Sequence, residues 1–254
     1  FGGKSVLGGI TGGFIGVDIF FVISGYLITS IIFKELYFKK TFSIFYFYQR
    51  RIRRILPALL LVFIFTIPFA WIYLLPTRFI EYSESILYTL GLTSNFYFYY
   101  SGLEYATENA LLKPFLHTWS LSIEEQFYIF FPIIFFLSFK YLNNYIFVIL
   151  LILLLSSFLL SYYGSIYFAA LNFYLLPTRA WELLAGSLLA YFEIKLGHRS
   201  KNKLLNTIFP FVGLFLIFFA IYYFDDKILN SPFYTLVPVL GVMFIIWFSS
   251  NDVI

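Results

Sequence analysis

Long apolar segments separated by short polar connections dominate this chain. A helix needs about 20 consecutive, mostly apolar residues to cross the hydrocarbon core of a bilayer. Segments that meet this requirement lie roughly at residues 14–33, 55–75, 119–139, 145–162, 176–193, 206–224 and 236–250. They lack the two-residue alternation of a lipid-exposed barrel strand. The pattern therefore predicts an all-α fold, a polytopic transmembrane helix bundle with about seven spans.

A further apolar segment, residues 80–100, is more polar than the others and contains Glu, Asn, Ser and Thr. The charges of two other connections indicate whether this segment crosses the membrane. The connections 34–54 and 195–205 are rich in Lys and Arg, so both are predicted to face the cytoplasm. An even number of spans must then separate them, which holds only if 80–100 does not cross. We predict a re-entrant or interfacial segment on the outer side.

The composition supports a membrane protein. The chain is 61% hydrophobic and 12% charged, whereas soluble domains are about 45–50% apolar and about 25% charged. The net charge of +4 reports topology in such a chain, so we expect no nucleic-acid partner. The absence of Cys excludes disulfides and thiolate metal sites, and we predict no metal. We interpret residues 1–254 as a single membrane-embedded domain, cut at both ends because the chain starts at Phe1 without a Met.

The first candidate for chemistry is Asp18, in the segment "GGFIGVDIFFVISGYLIT". A charge in the hydrocarbon core costs about 2.5–3.5 kcal/mol on insertion scales, so it points to a function by default. Asp18 either caps or hydrogen-bonds the start of its helix, or it positions a catalytic base or a substrate hydroxyl.

The second candidate is the arginine cluster in "YQRRIRRILPALL". It either anchors the topology through positive charge or forms a cytoplasmic anion site, because guanidinium groups bind phosphate with two parallel hydrogen bonds. Arg51 and Arg54 are three residues apart and share a helix face, with Arg50 and Arg53 beside them.

The third candidate is "HTWSLSIEEQFY". On a helix, His117, Ser120, Glu124 and Tyr128 form one stripe, and the adjacent carboxylate of Glu125 points about 100° away. We predict that Glu124 faces the interior. It either pairs with an Arg of another span and holds the bundle together, or it takes part in chemistry. His117 alone is more typical of a structural residue at a membrane boundary.

Trp119, in the same segment, is predicted to lie with His117 at the outer boundary of the span.

The fourth candidate is "LPTRAWELLAGSLLAY", where Arg179 and Glu182 can pair locally at a spacing of three residues. Alternatively, Arg179 reaches Glu124 or substrate across the bundle. The small residues that follow Glu182 predict tight helix packing.

These four segments, in this order and spacing, resemble the acyltransferase-3 family. This family comprises integral-membrane O-acyltransferases and includes acetylases of O-antigen and other surface polysaccharides. The matching stretches are "GGFIGVDIFFVISGYLIT", "FYQRRIRRILPAL", "HTWSLSIEEQFYIFFP" and "RAWELLAGSLLA". The resemblance implies a multi-pass protein of the bacterial inner membrane. It also implies transfer of an acetyl group from cytoplasmic acetyl-CoA to a hydroxyl of a cell-surface carbohydrate or glycolipid.

The resemblance also implies roles for individual residues. Arg51 and Arg54 correspond to the Arg-x-x-Arg motif of the family and are expected to bind CoA phosphates. Glu124 and Asp18 correspond to its conserved acids and are expected to orient the catalytic base. That base is expected to be a His in a helix upstream of Phe1, so His117 is not promoted to its role.

Substrate-binding roles are expected for six further residues: Trp119 and Tyr128 by stacking, together with Ser120, His117, Arg179 and Glu182. A sugar or lipid transporter is the alternative function, because charges in the membrane and glycine-interrupted spans also fit such a protein. Dependence on acetyl-CoA distinguishes the two.

Overall fold

The computed structural model describes residues 15–101, 113–197, 199–224 and 231–249. Within these ranges the chain forms α-helices joined by short turns, with one 3₁₀ turn at Asn143–Tyr145. The helices are α1 Ile15–Phe38, α2 Ile44–Tyr73, α3 Pro76–Leu90, α4 Ser94–Tyr100, α5 Thr118–Tyr141, α6 Ile146–Tyr167, α7 Ala169–Tyr174, α8 Leu176–Leu196, α9 Lys203–Tyr223 and α10 Pro232–Phe248. The predicted all-α helix bundle is confirmed.

Five helices in the described ranges are long and apolar enough to cross a membrane: α1, α2, α5, α6 with its preceding 3₁₀ turn, and α9. The predicted span at 176–193 forms α8, which carries both Arg179 and Glu182 and does not reach the apolar composition of a span. The predicted span at 236–250 forms α10, an apolar helix of 17 residues. The chain thus combines long apolar helices with shorter or more polar ones.

The segment 80–100 is not one continuous helix. It forms α3 and α4, and the turn between them contains Leu92 with φ of 57°. A left-handed residue cannot continue an α-helix, so the segment bends at this point. This geometry agrees with a segment that enters the bundle without crossing it as one straight span.

The connection between the first two spans is shorter than predicted. α1 continues to Phe38 and α2 begins at Ile44, so the arginine cluster lies on a helix and not in a loop. Ser43 starts α2, because its hydroxyl accepts a hydrogen bond from the backbone N–H of Tyr46 at 3.4 Å. The helical arrangement places Arg51 and Arg54 on one face, as their spacing predicts.

The closest packing in the bundle joins α1 to α8 through glycine. A Cβ added to Gly25 would lie 1.8 Å from the carbonyl oxygen of Leu183, and one added to Gly186 would lie 1.9 Å from that of Val22. The two backbones are therefore in direct contact, as in other membrane helix pairs with small residues at the interface. The small-residue face predicted for α8 does form this contact.

α1 and α8 run parallel. Asp18 and Arg179 meet near the starts of the two helices, and the rings of Phe33 and Tyr191 stack 5.5 Å apart near their ends. The connections that follow α1 and α8 therefore lie at the same end of the bundle. The charge pattern of the sequence led to the same arrangement, since both connections are basic.

The glycine contact predicts a specific sensitivity of stability. Gly186→Ala forces a methyl group against the backbone of α1, and overpacking of this kind costs about 1–3 kcal/mol. We expect a clear fall in the thermal unfolding midpoint of the detergent-solubilised protein. Gly16→Ala is the matched control, because a Cβ at Gly16 meets no atom within 4 Å. Equal midpoints for the two variants would contradict the proposed backbone contact.

Candidate active site

Two buried clusters of charged residues contain most of the candidate residues. The first, the Asp18 centre, consists of Asp18, Arg179 and Glu182. The second, the Glu124 centre, consists of Glu124, Glu125, Tyr128, Arg51 and Ser24. α1 contributes to both, and its residues Asp18 and Ser24 are about 9 Å apart along the helix axis at 1.5 Å per residue.

The Asp18 centre is organised around one guanidinium group. Nη1 of Arg179 donates to Oδ1 of Asp18 at 2.9 Å and to Oε1 of Glu182 at 2.8 Å. All three side chains are buried. The predicted local pair of Arg179 and Glu182 is thus present, and the partner across the bundle is Asp18 and not Glu124. Asp18 binds another helix and does not cap its own.

Aromatic rings cover the guanidinium group of Arg179. Its central carbon lies 5.7 Å from the ring centroid of Trp119 and 5.1 Å from that of Phe173. The two rings are themselves 4.4 Å apart. Trp119 is only 1% exposed, so it lies inside the bundle. Trp119 lies in the first turn of α5 next to His117, so its position at the outer boundary stays a prediction. The buried cation attracts the electron-rich indole ring.

The Asp18 centre contains two carboxylates and one cation. Oδ2 of Asp18 and Oε2 of Glu182 are buried and accept no hydrogen bond from the residues that the structure describes. The guanidinium group therefore stabilises the two buried carboxylates, since removing one partner of a buried ion pair leaves an uncompensated charge. This centre ties α1 to α8 at the ends opposite to the stacked Phe33 and Tyr191 rings.

In the Glu124 centre both neighbouring glutamates are buried. Glu124 is 3% exposed and Glu125 is 9% exposed. The sequence stripe placed Glu125 about 100° away from the face of Glu124. This side is also buried, because Arg51 of α2 approaches Glu125 there. Oε1 of each glutamate is buried without a hydrogen-bond partner. Ser24 of α1 lies against Glu124 and Tyr128.

Arg51 is the basic member of the Glu124 centre. Its guanidinium carbon lies 5.1 Å from the ring centroid of Tyr128 and 5.7 Å from that of Phe47. Its charge acts on Glu125 and Glu124 without forming an ion pair shorter than 4 Å with either. The cation and the two acids are thus close but leave room between them.

The carboxylates of the Glu124 centre lie about two turns into α5. The hydroxyl of Tyr48 on α2 donates to the carbonyl oxygen of Ile129 at 2.8 Å, and Phe42 packs on Phe136. α2 therefore runs antiparallel to α5, and its first turns reach the central turns of α5. As a result, the arginine-bearing start of α2 approaches carboxylates that lie about two turns from the other end of α5.

The four arginines of the cluster have different surroundings. Arg51 is half-buried, whereas Arg50, Arg53 and Arg54 are exposed. Arg50 forms an ion pair with Glu35 of α1 at 2.9 Å. Arg54 is close enough for its charge to act on Glu124 and Arg51. The structure therefore brings Arg51 and Arg54 to the centre, whereas the Nη2 group of Arg50 pairs with Glu35.

The outer end of the predicted stripe is not part of the centre. Ser120 is half-buried, and its hydroxyl donates to the carbonyl oxygen of His117 at 3.2 Å within the same turn. His117 is exposed before the first residue of α5, and partial desolvation lowers its pKa. Of the four stripe residues, Glu124 and Tyr128 form the buried part. In the described ranges, no three His, Asp or Glu side chains are placed to hold a metal ion.

Two members of the Glu124 centre were not among the residues to which the sequence assigned roles. Glu125 could have been noticed as a second acid in an apolar segment. The sequence of one helix, however, does not show which other helices pack against it. Ser24 carried no such signal, because Ser is common in membrane helices and its contact with α5 depends on packing.

This fold and these buried charges define a multi-pass helical membrane protein with an internal polar site. The family model described as "Acyltransferase domain", of the acyltransferase-3 type, matches residues 2–252. The chain belongs to this family, and it is an acyltransferase by class.

Two relatives illustrate the similarity. The chain is 34% identical over 246 residues to an uncharacterized protein of Haemophilus influenzae, covering 93% of this chain and 99% of that one. It is 32% identical over 241 residues to the O-acetyltransferase OatA of Staphylococcus aureus, covering 89% of this chain. The match spans 39% of the length of OatA. No solved structure matches the chain significantly.

The Asp18 centre leads to a prediction about stability. Arg179→Met leaves Asp18 and Glu182 buried side by side without a cation, and loss of one partner from a buried ion pair costs about 3–5 kcal/mol. Glu182→Gln keeps an acceptor for Arg179 and leaves one acid for one cation, so we expect a much smaller loss. Thermal unfolding in detergent micelles measures both. The interpretation fails if Glu182→Gln is as destabilising as Arg179→Met.

Proposed function

We propose that this protein transfers an acetyl group from cytoplasmic acetyl-CoA to a hydroxyl of a carbohydrate or glycolipid on the outer side of the membrane. The observation that carries the proposal is the approach of Arg51 to two buried carboxylates about two turns into α5. Such an arrangement provides a meeting point for a donor that enters from the basic end and an acceptor that enters from the opposite end.

The donor end has the charge that CoA phosphates require. Arg54 is exposed, and Arg51, one turn nearer the start of α2 on the same helix face, is half-buried. Guanidinium groups bind phosphate through paired hydrogen bonds. In the proposal, the exposed guanidinium group of Arg54 holds phosphate. Arg51 stabilises negative charge that develops on the thioester oxygen, where a preformed cation acts most strongly in a site without water.

The carboxylates serve the other half of the reaction. A sugar hydroxyl is a weak nucleophile at neutral pH and needs a base within hydrogen-bond reach. The family resemblance implies a His as that base. Glu124, with one unpaired carboxylate oxygen, would orient it. Asp18 is less suited to this role than the sequence suggested, because its Oδ1 is held by Arg179.

The reaction is balanced without a further reactant. The acceptor oxygen attacks the thioester carbonyl and gives up its proton to the base, the carbon–sulfur bond breaks, and the proton passes to the leaving thiolate. The name of OatA describes that protein as an O-acetyltransferase, which supports oxygen as the acceptor atom and acetyl as the group transferred here.

A sugar or lipid transporter is the alternative function. The helical path is interrupted at residues 91–93, between α3 and α4, and at Leu175, between α7 and α8. Discontinuous helices are a feature of transporter sites. Movement of substrate in the absence of acetyl-CoA would favour this alternative, and a requirement for acetyl-CoA favours acyl transfer.

The proposal predicts that Glu124 is needed for activity but not for folding. In the full-length protein, Glu124→Gln should lower O-acetylation of the surface carbohydrate by about 10²–10⁴-fold, the range typical of lost acid–base assistance. Mass spectrometry of released glycans measures the acetyl content. Glu84→Gln, which changes an exposed carboxylate on α3, is the matched control. Undiminished acetylation at normal protein levels would remove Glu124 from the mechanism.

The two arginines should affect different kinetic constants. Arg54→Gln should raise KM for acetyl-CoA with little change in kcat, because it weakens binding equally before and during the reaction. Arg51→Gln should lower kcat, because its proposed contact forms with developing charge. Lys201→Gln, which changes an exposed cation at the same end of the bundle, controls for general charge effects. Identical kinetic profiles for the two arginine variants would argue against separate roles.

A further inference from the structure

An apolar groove lies on the face of α5 that carries Gln126 and Phe130, away from the Glu124 centre. Its volume is about 550 Å³, within the range of small-molecule sites. α4, α5, α6 and α8 form its walls. Its lining is dominated by Phe, Leu, Ile and Ala side chains, and the polar residues among them are Gln126, Ser156 and Ser157.

The groove lies at the middle of the membrane-spanning helices. On α5 it extends over residues 126–134 and on α6 over residues 153–160, which are the central turns of Thr118–Tyr141 and Ile146–Tyr167. Both helices are long and apolar enough to span the bilayer. The groove is therefore at the depth of the hydrocarbon core.

Each polar residue that lines the groove already has a partner within the protein. Nε2 of Gln126 donates to the carbonyl oxygen of Leu92 and to Oδ1 of Asn95, both at 2.9 Å. The bond to Leu92 satisfies a carbonyl group in the turn between α3 and α4. The side chain of Gln126 thus hydrogen-bonds to backbone that is not helical, as required for such backbone at membrane depth.

The two serines are engaged in the same way. The hydroxyl of Ser156 donates to the carbonyl oxygen of Leu153 at 3.0 Å. The hydroxyl of Ser157 donates to the carbonyl oxygen of Pro177 at 2.7 Å and accepts from the backbone N–H of Trp181 at 2.8 Å. A sugar or a CoA phosphate would find neither a charge nor a free donor here, and its desolvation would be unfavourable.

The groove is open on one side and closed on the other. The side chains of Phe130, Ile134 and Leu160 at the rim are exposed. The floor is formed by the buried side chains of Phe127, Phe131 and Leu184. An elongated apolar ligand that enters sideways from the bilayer fits this shape.

We propose that this groove binds a fatty-acyl chain of a bilayer phospholipid as a specific, ordered ligand. The depth of the groove, the internal pairing of its polar groups and its rim open toward lipid select hydrocarbon over a polar substrate. The proposal does not depend on acyl transfer, because the bound fatty-acyl chain would occupy the face of α5 opposite to α2 and its arginines. A bound acyl chain also fills a space beside the packing of α4 against α5 and α7.

The test uses the full-length protein in vesicles of phosphatidylcholine that carries a photoactivatable group in the middle of one acyl chain. After illumination, peptide mass spectrometry locates the labelled residues. We expect labelling of the floor residues Phe127 and Leu184, which general contact with lipid does not reach. Floor labelling should saturate as labelled lipid is increased, and an excess of unlabelled lipid should compete it away.

A variant that fills the groove provides the matched comparison. Ser156→Trp places a large ring in the groove and should reduce floor labelling by about an order of magnitude. Leu159→Trp, at an exposed position of α6 outside the groove lining, should leave it unchanged. If Ser156→Trp does not fold, saturation and competition in the unchanged protein decide the question.

Two outcomes would overturn the proposal. The first is floor labelling that never saturates and follows the labelling at Leu159, which would indicate ordinary surrounding lipid only. The second is an absence of lipid label together with chemical cross-links from another segment of the chain to Phe127 or Leu184, which would show that the protein itself fills the groove. Neither outcome depends on acetylation, so the proposed function stands or falls separately.

Discussion

The hydrocarbon core supplies no hydrogen-bond partners, so every polar group that this bundle buries must find its partner within the protein. Arg179 illustrates the constraint: its guanidinium group binds two acids and lies against two aromatic rings. Gln126 and Ser157 illustrate it for the backbone, because each satisfies a carbonyl at a helix end. The positions of α1, α4 and α8 follow from these contacts together with glycine packing.

Under the same constraint, buried polar groups without a hydrogen-bond partner need an explanation. The Glu124 centre has two carboxylate oxygens without hydrogen bonds and a cation that approaches them without forming a tight pair. The Asp18 centre also has two unpaired carboxylate oxygens, but Arg179 forms an ion pair with each of its acids. This difference in ion pairing supports the proposal that the Asp18 centre holds α1 to α8 and that the Glu124 centre receives a reacting group. Both are carried by α1, so the firm attachment of α1 to α8 also fixes Ser24 against α5.

α5 presents different chemistry on different faces. Glu124 faces α1, Glu125 lies near Arg51 of α2, and Gln126 faces the turn before α4. Successive residues of a helix are separated by about 100°, so three consecutive polar residues must face three different neighbours. This explains how one short polar stretch can contribute both to the Glu124 centre and to the apolar groove. It also explains why the apolar stretch that follows is needed to anchor α5 in the membrane.

The sequence determined the class of fold and most of the polar residues that matter. Apolar segments of span length predict helices, basic connections predict that α1 and α8 end on the same side, and acids inside apolar segments identify Asp18, Glu124 and Glu182. These inferences succeed because they depend on local composition and on the cost of charge in hydrocarbon. The pairing of Asp18 with Arg179, the burial of Glu125 and Trp119, and the contact of Ser24 with Glu124 were decided by tertiary structure alone. Each depends on which helices are neighbours and how they are rotated, and the periodicity of a single helix contains neither.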